Sequence, residues 1–477
     1  MEHGSSVQPI FKRYDIRAKY PDPLSPEVVY RVGWAFGIYL RQALHCRRGL
    51  VAIGRDMRHG SNELAHAAAQ GLVAAGIRPA NLGLVATDML YFVCGEHPDL
   101  YDAGIMITAS HNPANENGLK FVLSGARPIW AKRGLNVVRD IYLSPEEHAP
   151  APAPLGAIEE RHYTAAYIAK LFRLAPEPIA PFKVVVDAGN GMAGLIFPRL
   201  AERLPCQIVP LFFKLDGSFP NRGSDPTKPA NLAKLQAAVI AEHADLGLAF
   251  DGDADRMAVL DETGRLVPGP IAGALVTAWI RQRMDDVRVI LDIPSHRAAE
   301  EAIREAGACP ILGPVGHPLV KQKMRDEDAL LAFEFSMHSY FRSFYSCDSG
   351  MLAALTVLQM LTAAGRPLSA LAEPLRARYT REDSEIPVPS DEVGLYAISR
   401  VDAAFSDQEA IRVTRYEADL RKDYRDWWFC LRPSGSEVIP RLRLSVEATA
   451  REAAAQHMAE ITAIIAAACS ERALHAA

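Results

Sequence analysis

The chain has 477 residues, 49% of them apolar and 23% charged, with a formal net charge of −5. That length exceeds one hydrophobic core and implies two to four domains, and the negative balance argues against a general nucleic-acid binder while leaving room for a locally basic cleft. No apolar run reaches membrane-spanning length, the N-terminus MEHGSSVQPI lacks the pattern of a secretion signal, and seven scattered cysteines without a CxxC pair point to reduced thiols in a cytoplasmic protein.

In chain order, Val51–Asp56 is an apolar run ending in Asp, followed by a polar loop and a helical pattern that Gly76 is placed to cap. Ala103–Ile107 is a strand pattern leading into Thr108-Ala109-Ser110-His111-Asn112-Pro113, a rigid polar loop with a serine at its apex. Asn117-Gly118 reads as a second turn, with Lys120 behind it. His148–Pro154 reads as a stiff Pro-rich linker. Lys183–Asp187 and Val289–Asp292 repeat the strand–Asp–loop–helix arrangement of the first segment. Each helix leads to a second short run: Leu82–Val85, Ile208–Phe213, Ile311–Leu312. Three such units predict three similar α/β domains with mixed or mostly parallel sheets. Strand patterns at Trp427–Leu431 and Leu442–Val446, then a long helix from about Thr449, predict a smaller C-terminal α+β domain. The expected domains are 1–153, 154–261, 262–374 and 375–477, arranged around a central cleft.

The predicted strand Leu246–Phe250 places Asp251 at its C-terminal end, where open α/β sheets bind ligands. Asp251, Asp253 and Asp255 can turn their oxygens onto one point, a set suited to a hard cation such as Mg2+, with Arg256 beside them. Three carboxylates this close repel unless a cation sits between them. An EF-hand also begins D-x-D-x-D, but its sixth position requires Gly and here is Arg256. A phosphatase with an aspartate nucleophile also places DxD after a strand. A solvated acidic turn is the structural alternative, as a solvent-exposed turn is for Ser110.

With both segments in view, the chain resembles the α-D-phosphohexomutase family, of the bacterial phosphomannomutase/phosphoglucomutase type, over nearly its whole length. Tyr14–Arg17 resembles the family's YDIRG motif, Thr108–Pro113 its TASHNP phosphoserine loop and Asp251–Arg256 its DGDxDR metal loop. Phe333–His338 stands in the place of the GEMSGH sugar loop, and Arg432–Ser436 resembles the phosphate-binding loop of the last domain. The resemblance implies an isomerase in which Ser110 carries a phosphoryl group that passes to and from a hexose phosphate through a bisphosphate. It implies Mg2+ held by Asp251, Asp253, Asp255 and a phosphoserine oxygen of Ser110. Arg17, Lys120 and Arg256 would surround the moving group, and His111 and His338 would assist in proton transfer or bind phosphate. Tyr14, Glu334, Ser336, Arg432, Ser434, Gly435 and Ser436 would hold the substrate. The implied partner is a small sugar phosphate, mannose or glucose phosphate first, with no nucleic acid or membrane and a monomer or small homo-oligomer.

The chain departs from that pattern in places. Phe333 and Met337 replace two glycines of the sugar loop, implying a changed loop shape or a smaller pocket. Pro294 stands where the family often has a lysine, for which Lys321 or Lys323 could compensate. Ala18, Ser436 and Val438 are further departures. These motivate two alternatives, a sugar-phosphate-binding protein with little turnover and a mutase for a pentose or amino-sugar phosphate. Gly189-Asn190-Gly191-Met192-Ala193-Gly194 fits G-x-G-x-x-G but reads as a structural turn. In Gly54–Arg58 an arginine either supports the serine loop or makes a structural salt bridge.

Overall fold

The computed structural model describes residues 10–46, 49–144, 149–152, 156, 158–434 and 440–476. It contains four sheets. The first is built from β1 (Ile16–Lys19), β2 (Leu50–Arg55), β3 (Arg78–Leu84), β4 (Ala103–Ile107), β5 (Glu116–Leu123), β6 (Arg127–Pro128) and β7 (Glu159–Glu160). The second contains β8 (Lys183–Asp187), β9 (Gln207–Leu211), β10 (Leu246–Phe250), β11 (Met257–Asp261) and β12 (Leu266–Val267). The third contains β13 (Arg288–Asp292), β14 (Cys309–Gly313), β15 (Leu331–Phe333), β16 (Ser339–Phe341) and β17 (Cys347–Asp348).

These three sheets share one connectivity. Each central strand (β2, β8, β13) pairs in parallel with the next strand on one side and the one after on the other, and an antiparallel strand follows. The orders β3-β2-β4-β5, β9-β8-β10-β11 and β14-β13-β15-β16 are therefore the same arrangement three times. The β-branched runs of the central strands are buried on both faces, as a sheet covered by helices requires. The fourth sheet, β18 (Thr380–Pro387), β19 (Arg412–Tyr416), β20 (Asp419–Asp423), β21 (Trp427–Pro433) and β22 (Arg441–Ala448), is wholly antiparallel, with helices Asp391–Ala404 and Arg451–Ala476. Three α/β layers and a smaller β-rich domain match the expected fold class.

One local expectation is corrected. Asn117-Gly118 is not a turn but part of β5, paired with β1 on one side and β4 on the other. Asn117 lies buried and donates to Ser61 Oγ at 2.9 Å, so its turn-forming side chain serves a tertiary contact. The repeated helix–loop units place α1 (Pro26–Gln42), α2 (Ser61–Ala74) and α3 (Thr87–Glu96) around the first sheet. Gly76 adopts φ 76° just past α2, as anticipated for a cap. Among the described residues no single helix is long and apolar enough to cross a membrane.

Candidate functional site

The serine loop begins where β4 ends. Ser110 is buried and sits at φ 54°, a left-handed conformation that costs a non-glycine residue about 1–2 kcal/mol. The surroundings fix it. Its own N–H reaches Thr108 Oγ1 at 2.9 Å, and Arg58 donates to the Ser110 and Asn112 carbonyls at 2.7 and 2.6 Å. Arg17 donates to Ala109 O at 3.1 Å and Asn112 Oδ1 at 2.6 Å while paired with Asp15.

The carboxylate loop, between β10 and the antiparallel β11, meets the serine loop directly. Ser110 Oγ donates to Asp251 Oδ2 at 3.0 Å. A Cβ on Gly252 would stand 2.5 Å from the Ser110 carbonyl oxygen, so glycine is what lets these two backbones approach. Likewise a Cβ on Gly191 would stand 2.7 Å from Gly252 O, which explains that glycine by packing.

Asp251, Asp253 and Asp255 are fully buried, and one oxygen from each lies within 4.8 Å of the others. Lys120 Nζ contacts Asp253 Oδ2 at 2.7 Å and Asp255 Oδ2 at 2.6 Å, and Thr87 donates to Asp253. Asp253 Oδ1 and Asp255 Oδ1 are buried without a hydrogen-bond partner. Burial, then Asp255 and Asp253, holds the Asp251 carboxyl well above its ordinary range. Burial also pushes Asp253 and Asp255 up, but Lys120 and other partners outweigh it and leave both low. Three converging carboxylates, two of them with an orphaned buried oxygen, form a donor set that fits a hard divalent cation.

Around this centre, His111 Nδ1 lies 3.3 Å from Ser110 Oγ, and burial, with Arg256 and Arg17, keeps the imidazole neutral. Arg256 Nε lies 3.7 Å from Asp251 Oδ2. The loop Phe333–His338 joins the same cluster, because His338 Nδ1 reaches Asp348 at 2.8 Å and Asp255 at 3.7 Å. Glu334 accepts from Gly316 N at 2.9 Å and from Tyr340 OH, and Asp292 takes the Phe335 N–H at 3.0 and 3.2 Å. Ser336 makes no hydrogen bond among the described residues. Tyr14 OH donates to Val315 O at 2.7 Å, and its ring meets His317 edge-on. Arg381 of the fourth sheet stands over the Phe335 ring at 4.2 Å, which brings that sheet to this loop, and the charge of Arg432 reaches Tyr14, Asp292 and Asp419. Ser434 Oγ is buried without a hydrogen-bond partner among the described residues. Gly435, Ser436 and Val438 lie outside the described residues.

The sugar-loop departures have a different consequence from the one expected. Phe333 and Met337 line a packed space between β11 and helices Gly269–Arg281 and Gly350–Ala364. A Cβ on Gly273 would stand 2.3 Å from the Phe333 ring. Met337 nevertheless keeps φ 72°, the glycine-like angle. Neither lysine replaces the one missing at Pro294. Lys321 is buried against Asp348 at 2.6 Å, and Lys323 pairs with Glu327. Instead Arg381 donates to Pro294 O at 2.8 Å, and Arg421 to the Ile293 and Ser295 carbonyls at 2.9 Å. Sequence reasoning missed His317, Asp348, Tyr340, Asp292 and Thr87, which come from five separate segments with no shared local signal.

Comparison with known proteins agrees with this geometry. Models of phosphoglucomutase/phosphomannomutase α/β/α domains I, II and III match residues 8–145, 162–264 and 269–379. The chain is 36% identical over 441 residues to the phosphohexose mutases of Xanthomonas campestris, covering 92% of this chain and 95% of that one. It is 33% identical over 443 residues to the phosphomannomutase/phosphoglucomutase of Pseudomonas aeruginosa, covering 92% of each. The crystal structure of a phosphoglucomutase/phosphomannomutase family protein from Burkholderia thailandensis superimposes with a TM-score of 0.83 at 29% identity, over 97% of this chain and 98% of that one.

Proposed function

Because the chain belongs to the phosphoglucomutase/phosphomannomutase family and is a phosphohexomutase-type isomerase, we propose that it interconverts the 1- and 6-phosphates of mannose or glucose through a phosphoserine at Ser110. The observation that carries this reading is the contact of Ser110 Oγ with Asp251 Oδ2 at 3.0 Å, which joins the serine loop to the carboxylate cluster.

In the proposed cycle, the phosphoryl group on Ser110 Oγ passes to the free hydroxyl of a bound sugar phosphate, which gives up its proton as the new O–P bond forms. The serine oxygen leaves, and Lys120, Arg17 and Arg256 balance its charge. The neutral His111 imidazole, 3.3 Å from Ser110 Oγ, would relay the proton lost by the sugar hydroxyl to the departing serine oxygen, with His338 a second candidate. The bisphosphate then turns over and returns its other phosphate to Ser110. Tyr14, Glu334 and Ser336 would orient the sugar, and Arg432 with Ser434, Gly435 and Ser436 would hold the distal phosphate. Mg2+ held by Asp251, Asp253, Asp255 and a phosphoserine oxygen would polarise the phosphoryl group. In this reading the segments 1–153, 154–261, 262–374 and 375–477 are four lobes, each giving one loop to the cleft.

Intact-mass analysis before and after incubation with glucose 1,6-bisphosphate tests the proposal. The expected result is one phosphoryl group on Ser110 and turnover of mannose 1-phosphate or glucose 1-phosphate. An unmodified Ser110, with sugar phosphates bound but not converted, would favour a binding protein. Turnover of glucosamine or pentose phosphates alone would move the substrate assignment.

A further inference from the structure

Gly54–Arg58 contains two arginines with opposite fates. Arg58 spends its guanidinium on loop carbonyls. The side chain of Arg55, the last residue of β2, makes no hydrogen bond or ion pair with any described residue. Strand alternation puts its side chain on the same face as Ile53, and both line a groove of about 430 Å³ beside α2. That volume lies within the range of small-molecule sites. Asn62, His66 and Gln70, four residues apart along α2, form one wall, and Asn81 of β3 lies opposite. Asn81 Oδ1 accepts from Gly83 N at 3.0 Å, so its amide nitrogen remains a donor. The groove's carboxylate, Glu63, is already engaged by the Tyr20 hydroxyl. A half-buried guanidinium with no carboxylate in hydrogen-bond contact, its nearest acid Asp56 being committed to Arg58 and Ser61, and bordered by amide and imidazole groups, is a donor arrangement that recognises an oxyanion.

We propose that the groove between Arg55 and α2 binds a small metabolite through its phosphate or carboxylate group, at a site separate from the Ser110 centre. Arg55 supplies a two-pronged donor, the side chains at 62, 66 and 81 supply further hydrogen bonds, and Ile53 with Ile158 supplies an apolar floor. The site is connected to the serine loop by short steps. Asp56, next in sequence, pairs with Arg58 and accepts from Ser61 Oγ at 2.7 Å, where α2 begins. The proposal stands on the groove and does not require the mutase reading.

The test is calorimetric titration of the full chain with inorganic phosphate and with citrate, in the presence of saturating glucose 1,6-bisphosphate to occupy the cleft. Saturable binding of at least one probe is expected. It weakens at least about tenfold, or 1.4 kcal/mol, in Arg55→Gln. It weakens equally in His66→Trp, which fills the groove while leaving the arginine in place. Preference for phosphate or citrate identifies which oxyanion the natural ligand carries. Absence of saturable binding of both probes, or binding unchanged in either variant, overturns the proposal. Both substitutions lie outside the core, and melting temperatures close to wild type accompany the expected result.

Discussion

Arg58 holds Ser110 from behind, its Nη2 donating to the Ser110 carbonyl at 2.7 Å while Nη1 takes the carbonyls of Pro113 at 2.7 Å and Glu116 at 3.1 Å. The guanidinium is buried and paired with Asp56, itself buried. Replacing Arg58 by Ala leaves several loop carbonyls without donors and strands the Asp56 charge. Loss of one partner from a buried pair costs about 3–5 kcal/mol. Arg58→Ala is therefore expected to lower the melting temperature markedly and to cut turnover by about a hundredfold or more, because the φ 54° geometry of Ser110 loses its brace. Arg58→Lys should recover part of the stability and little of the rate, since one ammonium cannot serve four carbonyls. Wild-type turnover by Arg58→Ala would separate the brace from the chemistry.

How much of this was legible beforehand follows the range of the interactions. The central strands, and the strands β4 and β10 with the polar loops at their C-terminal ends, carry local signals, an apolar run and then a polar turn, and they lie where those signals place them. The segment Asn117-Gly118 carried an equally clear turn signal and misled, because β1 and β4 pair with it from both sides and tertiary hydrogen bonding overrides local preference. Asp348 could not be found in sequence at all. Its role depends on Lys321 and His338 arriving from other elements, and an isolated Asp carries no mark of that. Phe333 and Met337 stand out in sequence as departures, but the direction each side chain takes is set by packing against Gly273 and the neighbouring helices.

Asp88 gives a pH dependence with a definite sign. Its carboxyl accepts from Ser349 Oγ at 2.6 Å and Tyr167 OH at 2.7 Å, yet burial raises its pKa to about 7. The folded state therefore keeps a proton that the unfolded chain releases near pH 4, and stability from this group falls as pH rises from about 4 to about 7. Asp88→Asn removes that penalty and keeps an acceptor for both hydroxyls. The stability of Asp88→Asn relative to wild type should increase by about 3 kcal/mol between pH 5 and pH 8 in urea denaturation. A difference that does not change with pH would show Asp88 to be ionised in the fold across that range.

Phe333 tests whether the altered sugar loop changes specificity or packing. Its ring is 4% exposed and rests on Gly273, away from Glu334 and Ser336. Phe333→Ala should destabilise by about 3–5 kcal/mol through the cavity it leaves. The KM for sugar phosphate should stay within about twofold of wild type, measured where both proteins are fully folded. A large change in KM with little loss of stability would return the residue to the substrate pocket.

Lys120 holds one oxygen of each of two carboxylates that would bind a divalent cation, at 2.7 Å from Asp253 Oδ2 and 2.6 Å from Asp255 Oδ2, and leaves their Oδ1 atoms free for it. In the metal-free protein it neutralises a cluster that otherwise repels itself, and with a cation bound it becomes a like charge beside it. Lys120→Met separates these effects. Without Mg2+ the variant should melt well below wild type, because two buried carboxylates lose their counter-charge. With Mg2+ its melting temperature should rise more than that of wild type, and its Mg2+ affinity should be higher by about tenfold, since binding no longer opposes a neighbouring ammonium. Turnover should still fall by about two orders of magnitude or more, because the same ammonium is needed to balance the transferring phosphoryl group. Weaker Mg2+ binding in Lys120→Met, measured by calorimetry, would mean that the lysine supports the metal site and does not compete with it.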